Sequence, residues 1–226
     1  RVWTFDRDEQ IDEAFFARRI KAAVEYRHFL KLDDPKGGCR LINSEADGLP
    51  GLVVDRYAGV LVIQITSAGI EFHRDTIVKL LAEITGAASI YERSDVSVRA
   101  KEGLAERSGL LYGAQPPNPV IIEENGARFA VDVRHGQKSG FYFDQRCARA
   151  AVAAYADGRT VLNAFSYTGA FAVSALLAGA GHVININSSA PALKQAAHNL
   201  EMNKIKPERY ENRTADVFTE LRRLVE

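Results

Sequence analysis

The sequence is poor in cysteine and has no excess of charge. Its 226 residues include two cysteines, and 29 basic side chains balance 29 acidic ones. Cys39 and Cys147 are too few for a disulfide framework and lack the spacing of a metal site. Zero net charge excludes a protein that coats nucleic acid with its whole surface, so affinity for a polyanion must come from local patches. A reducing, cytoplasmic setting is the simplest expectation.

Long hydrophobic runs are also missing. None approaches the roughly 20 residues that a membrane-spanning helix needs, so no membrane partner is expected. Residues 1–6 do not resemble a secretory leader, and the lack of an initiating Met predicts a piece of a longer protein. Hydrophobic residues make up 46% and charged residues 26%, which is typical of a globular protein rather than a disordered one.

The first two thirds of the chain contain one helix and then a mixed sheet. Asp12 is a good N-cap, and an apolar stripe at helical spacing follows it: Phe16, Ile20, Ala23, Tyr26 and Leu30. Strands are predicted at 39–42, 51–57, 60–65 and 88–92, with a helix around 77–84. A hairpin over 120–124 and 127–133 has Asn125-Gly126 as a type I′ turn.

From residue 134 onward strands and helices alternate. Strands are predicted at 160–165, which reads as buried, and at 183–187 and 210–215. Helices are predicted at 170–178 and after Ser189, which precedes Pro191 in a first turn. This is the first half of a doubly wound parallel sheet. We therefore expect an α/β protein in which a partial Rossmann-like domain follows a smaller mixed α+β domain.

The segment after the first of these strands is the most informative one. A small polar turn there leads into a helix, so a ligand could approach the backbone near the helix N-terminus. The turn has a single glycine; it matches neither G-x-G-x-x-G nor the G-K-[ST] of nucleotide loops. An ordinary strand-to-helix turn is an equally good interpretation. The candidate residues are Asn163, Phe165, Ser166, Tyr167, Thr168 and Gly169.

The next two strands also end in polar residues. Asn187 and Ser188 follow one strand, at the place where nucleoside-binding folds carry an acid for ribose hydroxyls. Asp216 and Val217 follow the other, and an acid there can accept a hydrogen bond from the exocyclic amine of adenine. Both positions also suit helix capping, by Ser189 and by Asp216.

A basic and aromatic segment covers residues 135–146. Lys138, Tyr142 and Gln145 suit contacts with a charged cofactor or a nucleic acid. Phe141 and Phe143 have strand spacing and are expected in the core. Cys147 is expected to be a packed thiol rather than a nucleophile, because no base lies near it in the sequence. Histidines without spaced partners make a metal site unexpected.

These segments together resemble a known family. It is the class I S-adenosylmethionine-dependent rRNA methyltransferases with an N-terminal PUA domain, of the large-subunit rRNA (cytosine-5)-methyltransferase I type. The resemblance is carried by residues 1–6, 11–16, 45–56 and 90–95 and by the segments around Gly140 and Gly169. It implies that 1–38 are the end of a PUA domain and a linker helix, 39–133 a central mixed domain, and 134–226 the N-terminal half of the catalytic domain.

The resemblance also implies roles for the candidate residues. The turn at 163–169 would hold the methionine part of S-adenosylmethionine, Asn187 would face the ribose, and Asp216 the adenine amine. The loop with Lys138, Tyr142 and Gln145 would close over the cofactor. The family is expected to use a cysteine thiolate for cytosine C5 methylation. No residue of this sequence is assigned to that catalytic role.

The sequence departs from the family pattern in two ways. Asn187 stands where the family has Asp, which predicts weaker cofactor binding. The sequence also ends at Glu226, before the family's Asp-Pro-Pro motif. We therefore expect this piece to be inactive alone. With the strand at 161–165 as an apolar sheet edge, it should be unstable or form a homodimer.

Ribosomal RNA is the expected partner. Its binding surface is predicted at residues 138–149 and on the face with Arg93 and Arg99. Two alternatives remain open: a noncatalytic RNA-binding or assembly module, and a nucleotide-dependent oxidoreductase. The missing G-x-G-x-x-G disfavours the oxidoreductase.

Overall fold

The computed structural model describes residues 2–224. These residues divide into two compact units. The first unit runs up to Ile122 and includes Val131–Phe143; the second contains Glu123–Ala130 and the chain from Asp144 onward. No helix in the described part of the chain is long and apolar enough to cross a membrane.

The first unit is built on a mixed five-stranded sheet in the order β1-β2-β3-β4-β5. Its strands are antiparallel except for the parallel pair β3 and β4. The elements are α1 (Glu13–Phe29), β1 (Gly38–Asn43), β2 (Leu52–Tyr57), β3 (Val60–Ile65), α2 (Ala68–Phe72), α3 (Arg74–Thr85), β4 (Ser89–Ser94) and β5 (Arg107–Gly113). The predicted mixed sheet is confirmed; β5 was not expected from the sequence.

Helix α1 begins where the sequence predicts, because the Asp12 carboxylate accepts a hydrogen bond from the Phe15 amide at 2.9 Å. Its buried face differs from the predicted stripe. Tyr26 and Leu30 are exposed, whereas Phe15 and Arg27 are buried. The Arg27 guanidinium takes the inner position of the last turn because it pairs with Asp47, at 2.7 Å.

One hydrophobic core joins α1 and α3 to the sheet. Phe16 and Ile20 of α1 share it with Leu41, Ile63 and Leu81. The helix before residue 38 and the strand after residue 39 therefore bury the same apolar surface.

The β6–β7 hairpin contains the point at which the two units divide. Its strands, β6 (Val120–Glu124) and β7 (Ala127–Val131), pair with each other as a two-stranded sheet. Asn125 and Gly126 have φ angles of 51° and 80°. Two successive positive φ values are the signature of a type I′ turn, so that prediction is confirmed.

The second unit has a parallel three-stranded sheet in the order β10-β9-β8. This is the strand order of the first half of a doubly wound sheet, as predicted. The elements are α4 (Arg146–Ala154), β8 (Thr160–Ala164), α5 (Ala170–Leu177), β9 (His182–Asn187), α6 (Ala190–Met202), β10 (Tyr210–Thr214) and α7 (Val217–Arg223).

Strand β8 is less buried than its apolar sequence predicts. Leu162 is 42% exposed, and Thr160 is exposed as well. The reason is that β8 lies at the edge of this sheet, hydrogen-bonded to β9 on one side. The helix caps are as predicted: Ser189 accepts from the Ala192 amide and Asp216 from the Thr219 amide.

Candidate functional site

The three parallel strands of the second unit bring their carboxyl ends to one edge of the sheet. Asn163 of β8 lies opposite Asn185 of β9. Asn187 of β9 lies opposite Thr214 of β10. The turn after β8, Asn187 and Asp216 therefore lie at the same edge. Ligands of open α/β sheets bind at this edge, in the crevice beyond the strand ends.

The turn after β8 has an unusual backbone. Phe165, Tyr167 and Gly169 have φ angles of 56°, 46° and 77°. Positive φ is rare for residues with a side chain, so two such residues near a glycine mark a strained turn. Its shape is fixed by the Ser166 amide, which donates to Ile186 O at 3.0 Å, and by the Gly169 amide, which donates to Ser166 O at 2.9 Å.

The turn contains a buried hydroxyl without a hydrogen-bond partner in the described part of the chain, that of Ser166, and a solvent-exposed aromatic ring, that of Phe165. The Ser166 hydroxyl is buried and has no hydrogen-bond partner among the described residues. An unpaired buried hydroxyl costs about 1–3 kcal/mol, so a ligand that bonded it would recover this free energy. Phe165 is 58% exposed, and its ring packs edge-on against Phe218 with centroids 5.5 Å apart.

Gly169 ends the turn where α6 comes close. A Cβ built on Gly169 would lie 2.8 Å from the Ala196 Cβ. Gly126 has a similar φ, and a Cβ there would meet nothing within 4 Å. The two positions therefore share the conformational requirement for glycine and differ in the space around it.

This difference predicts the effects of Gly169→Ala and Gly126→Ala. Each substitution costs about 1–2 kcal/mol for the left-handed backbone. Gly169→Ala should cost about 1–3 kcal/mol more, because the added methyl overpacks the contact with α6. Urea denaturation of both variants measures the difference. Equal losses of stability would show that the turn and α6 can separate freely.

Asn187 and Asp216 differ in how their side chains are used. Asn187 is half-buried, and its side-chain amide has no hydrogen-bond partner among residues 2–224. The exposed Asp216 carboxylate accepts from both the amide and the hydroxyl of Thr219, at 2.8 Å each. These bonds hold the pKa of Asp216 below its usual range, so the group is ionised at neutral pH. Of their neighbours, Ser188 is exposed and Val217 is buried.

A row of three asparagines crosses the sheet below the turn, and sequence reasoning missed it. The Asn163 amide donates to Asn185 Oδ1 at 2.8 Å, and the Asn185 amide donates to Asn212 Oδ1 at 2.9 Å. The Asn163 amide group therefore bonds a neighbouring strand of the sheet, and this bond uses one of the donors that a ligand could have met. The available signal was the presence of asparagine in three successive strands, but only the strand register shows which of these asparagines meet.

Residues 137–143 of the expected closing loop belong to the first unit. The Lys138 ammonium lies 4.2 Å from the centroid of the Tyr142 ring, and the Tyr142 hydroxyl donates to Gln137 at 2.9 Å. Lys138 is exposed and Tyr142 half-buried. Gln145 lies in the second unit and directly precedes α4.

Buried polar side chains of β2 hold this loop. The Ser139 hydroxyl donates to the Asp55 carboxylate and lies 3.0 Å from the Tyr57 hydroxyl. The Phe141 amide donates to the same Tyr57 oxygen at 3.1 Å. Burial raises the pKa of Tyr57 above its ordinary value, so the phenol stays protonated. The loop backbone is thus anchored to the sheet of the first unit.

Arg93 and Arg99, expected on an RNA-binding face, are buried instead. The Arg93 guanidinium donates to the carbonyl of Gly136 at 3.2 Å, and that of Arg99 to the carbonyl of Ile65 at 2.6 Å. Both guanidinium groups therefore bond backbone carbonyls within the first unit. The predicted role for this pair was wrong because sequence cannot tell an exposed arginine from one that bonds buried carbonyls.

The end of the predicted 138–149 RNA-binding segment is also mostly internal. Arg149 is 1% exposed and forms an ion pair with Glu124 at 2.6 Å. Arg146 reaches the same carboxylate at 3.2 Å. Cys147, between them, is exposed, so it is not the packed thiol that was expected. The reason is that α4 turns Arg149, rather than Cys147, toward the interior.

Phe141 is buried as expected, although the segment is not a strand. Its ring lies 5.6 Å from that of half-buried Phe143, which packs on Tyr57 at 5.0 Å. Phe141 lies in a loop and Phe143 begins a short 3₁₀ turn, Phe143–Gln145, so their two-residue spacing does not come from a strand.

The described residues contain no cluster of side chains that could hold a metal ion.

Comparison with known proteins decides the family. The model of the S-adenosylmethionine-dependent methyltransferases matches residues 47–224. The chain belongs to this family. The expected cofactor, S-adenosylmethionine, is thereby confirmed, and a methyltransferase of this family has the α/β fold with a mixed sheet described above.

Two relatives and one solved structure show what the chain is similar to. Proteins named ribosomal RNA large subunit methyltransferase I, from Aeromonas hydrophila and Aliivibrio fischeri, are 51% and 49% identical over 98% of this chain. A Streptococcus mutans protein assigned to the SAM-dependent methyltransferases shares the fold, with a TM-score of 0.85, 24% identity and 97% of this chain covered. The chain spans 56% of the length of each of these proteins.

Proposed function

We propose that this methyltransferase chain contains the cofactor-binding half of an enzyme that methylates large-subunit ribosomal RNA. The observation that carries the proposal is the strained turn after β8, whose buried Ser166 hydroxyl has no partner among residues 2–224. The rRNA substrate is supported by the names of the relatives that are about half identical to the chain.

The residues at the sheet edge fit the parts of the cofactor. The turn at 163–169 would hold the amino-acid end, with the Ser166 hydroxyl as a hydrogen-bonding group. Asn187 and Ser188 would face the ribose, and the Asp216 carboxylate, beside Val217, would accept from the adenine amine. The assignment of Lys138, Tyr142 and Gln145 to the cofactor rests on the family resemblance of the sequence. When bound, the cofactor supplies an electrophilic methyl group on a sulfonium; the chain supplies orientation.

The finer substrate assignment rests on the family resemblance of the sequence. It implies C5 of cytosine as the methylated atom and a cysteine as the nucleophile; neither Cys39 nor Cys147 is assigned to that role. The same resemblance implies that residues 1–38 include the end of a PUA domain and that 134–226 are the first half of the catalytic domain. The exposed Leu162 at the β8 edge of the sheet supports a proposal of homodimerisation.

Calorimetric titration with S-adenosylhomocysteine tests the cofactor site, with NAD as the competing ligand. We expect binding of S-adenosylhomocysteine in the micromolar range and none of NAD. Circular dichroism checks that the protein is folded. A folded protein that binds neither ligand would contradict the proposed site and favour a noncatalytic RNA-binding module. Preferential binding of NAD would favour an oxidoreductase.

A competition assay tests the RNA substrate. The protein is mixed with labelled large-subunit rRNA and challenged with unlabelled large- or small-subunit rRNA at a fixed salt concentration. We expect the large-subunit RNA to compete better. Equal competition would remove the support for a large-subunit substrate, while leaving the cofactor assignment intact.

A further inference from the structure

Helix α6 and its C-cap residue carry three amide side chains at intervals of four residues: Gln195, Asn199 and Asn203. Side chains four apart lie on one face of a helix. The amide of Asn203 bonds both backbone groups of Arg128 in β7, accepting from its N–H at 2.9 Å and donating to its carbonyl at 2.7 Å. The helix therefore pairs with the edge of β7 through side chains, as a neighbouring strand would through its backbone.

Asn199 does something that Asn203 does not. Its Oδ1 accepts from the Ala130 amide at 2.8 Å, while its Nδ2 donates to the Thr168 carbonyl at 2.9 Å. Asn199 is fully buried. A single side chain thus joins β7 to the strained turn after β8.

The Thr168 carbonyl is a sensitive point of that turn. It belongs to the same peptide plane as the Gly169 N–H, which donates to Ser166 O. Asn199 holds one end of this plane and Ser166 holds the other. Since Tyr167 and Gly169 on either side have positive φ, loss of one bond would allow the plane to rotate and the turn to relax.

We propose that Asn199 is a positioning residue of the cofactor site: through the Thr168 carbonyl it keeps the 163–169 turn in the shape that receives S-adenosylmethionine. This inference rests on the proposed assignment of that turn to the cofactor. Asn199 itself is not a catalytic residue, because it acts through the turn.

Asn199→Asp and Asn203→Asp make a matched pair of variants. Each keeps an acceptor oxygen for a β7 amide, loses a donor and adds the same charge. Only Asn199→Asp loses the bond to the turn and sets a carboxylate against the Thr168 carbonyl. We expect the Kd for S-adenosylhomocysteine to rise about ten-fold for Asn199→Asp and less than about two-fold for Asn203→Asp. The affinity of both variants for labelled large-subunit rRNA should stay unchanged, which separates a loss of cofactor affinity from a general loss of structure.

Amide hydrogen exchange gives a measurement that needs no ligand. Asn199→Asp should speed exchange in the 165–170 segment, whereas Asn203→Asp should affect only the hairpin around Arg128. If the buried charge prevents folding, Asn199→Ser and Asn203→Ser replace the pair and remove the amide without adding charge.

The outcomes separate this inference from the proposed function. Equal effects of the Asn199 and Asn203 variants on affinity, or unchanged exchange at 165–170, would overturn the positioning role. If Gly169→Ala weakens S-adenosylhomocysteine binding and Asn199→Asp does not, the turn remains the cofactor site and this inference fails. If neither variant changes binding, the cofactor site itself lies elsewhere.

Discussion

Asn187→Asp is expected to tighten the binding of S-adenosylhomocysteine by about 10- to 150-fold, equivalent to about 1.5–3 kcal/mol. A carboxylate accepts hydrogen bonds from ribose hydroxyls more strongly than an amide does, because the bond is charge-assisted. The family resemblance of the sequence implies that Asp is usual at this position. The substitution should therefore raise the affinity of this chain for the cofactor.

The local structure around Asn187 allows Asn187→Asp without the loss of any internal hydrogen bond of the described chain. Its side-chain amide has no partner among the described residues, so no internal bond is broken. Its carbonyl accepts from the Ala215 amide at 3.1 Å, which fixes the backbone at the end of β9. Aspartate is nearly the same size and shape as asparagine, and no repacking is expected.

Ser188→Asp provides the control for charge alone. Ser188 is the next residue and is exposed, so this variant adds the same charge beside the site without placing it at the end of the strand. Calorimetry of both variants at low and high salt distinguishes a specific hydrogen bond from long-range electrostatic attraction, because salt screens the latter more strongly. Equal affinities of Asn187→Asp and the unchanged protein, or an equal gain from Ser188→Asp, would contradict the role of residue 187 at the ribose.

Arg149→Met is expected to lower the free energy of unfolding by about 3–5 kcal/mol. Arg149 and Glu124 are 1% and 5% exposed, and the guanidinium donates to both carboxylate oxygens, at 2.6 and 2.8 Å. Removing the arginine would leave a buried carboxylate whose remaining ion-pair partner in the described chain is Arg146, at 3.2 Å. An uncompensated buried charge is far more costly than the loss of the pair itself.

The double variant Arg149→Met/Glu124→Leu tests that explanation. It replaces both charges with apolar groups and should recover most of the lost stability, since no buried charge remains. Urea denaturation of the single and double variants gives the comparison. A loss below about 1 kcal/mol for Arg149→Met would mean that Arg146 compensates fully. The RNA affinity of the folded double variant should be unchanged, because Arg149 is buried. A marked drop in RNA affinity would show that Arg149 does contribute to the RNA-binding surface.

The local features of the second unit were predictable from short stretches of sequence. Ser189 and Asp216 cap their helices through bonds to amides three residues later, and the Asn125-Gly126 turn needs only two residues with positive φ. Such contacts depend on neighbours in the chain, so the residue types alone predict them. The sequence also predicted that the polar residues after β8, β9 and β10 lie at one edge of the sheet, because the carboxyl ends of parallel strands meet there.

Contacts between residues distant in the chain could not be predicted in this way. Asn199 meets Thr168 and Ala130 across 31 and 69 residues, and nothing near it in the sequence marks it as more than a polar residue on a helix. Burial of Arg99 likewise depends on a carbonyl 34 residues away. A buried arginine and an exposed one have the same side chain, and only the packing around them differs.

The sequence by itself determined the alternation of strands and helices, the caps, the hairpin turn and, through its matched segments, the methyltransferase family. The tertiary structure alone decided which polar side chains remain available for a ligand. Arg93 and Arg149 are used internally, whereas the Ser166 hydroxyl and the Asn187 amide have no partners within residues 2–224. The physical reason is that satisfying a buried polar group requires a partner in space, and chain folding, not sequence proximity, supplies that partner.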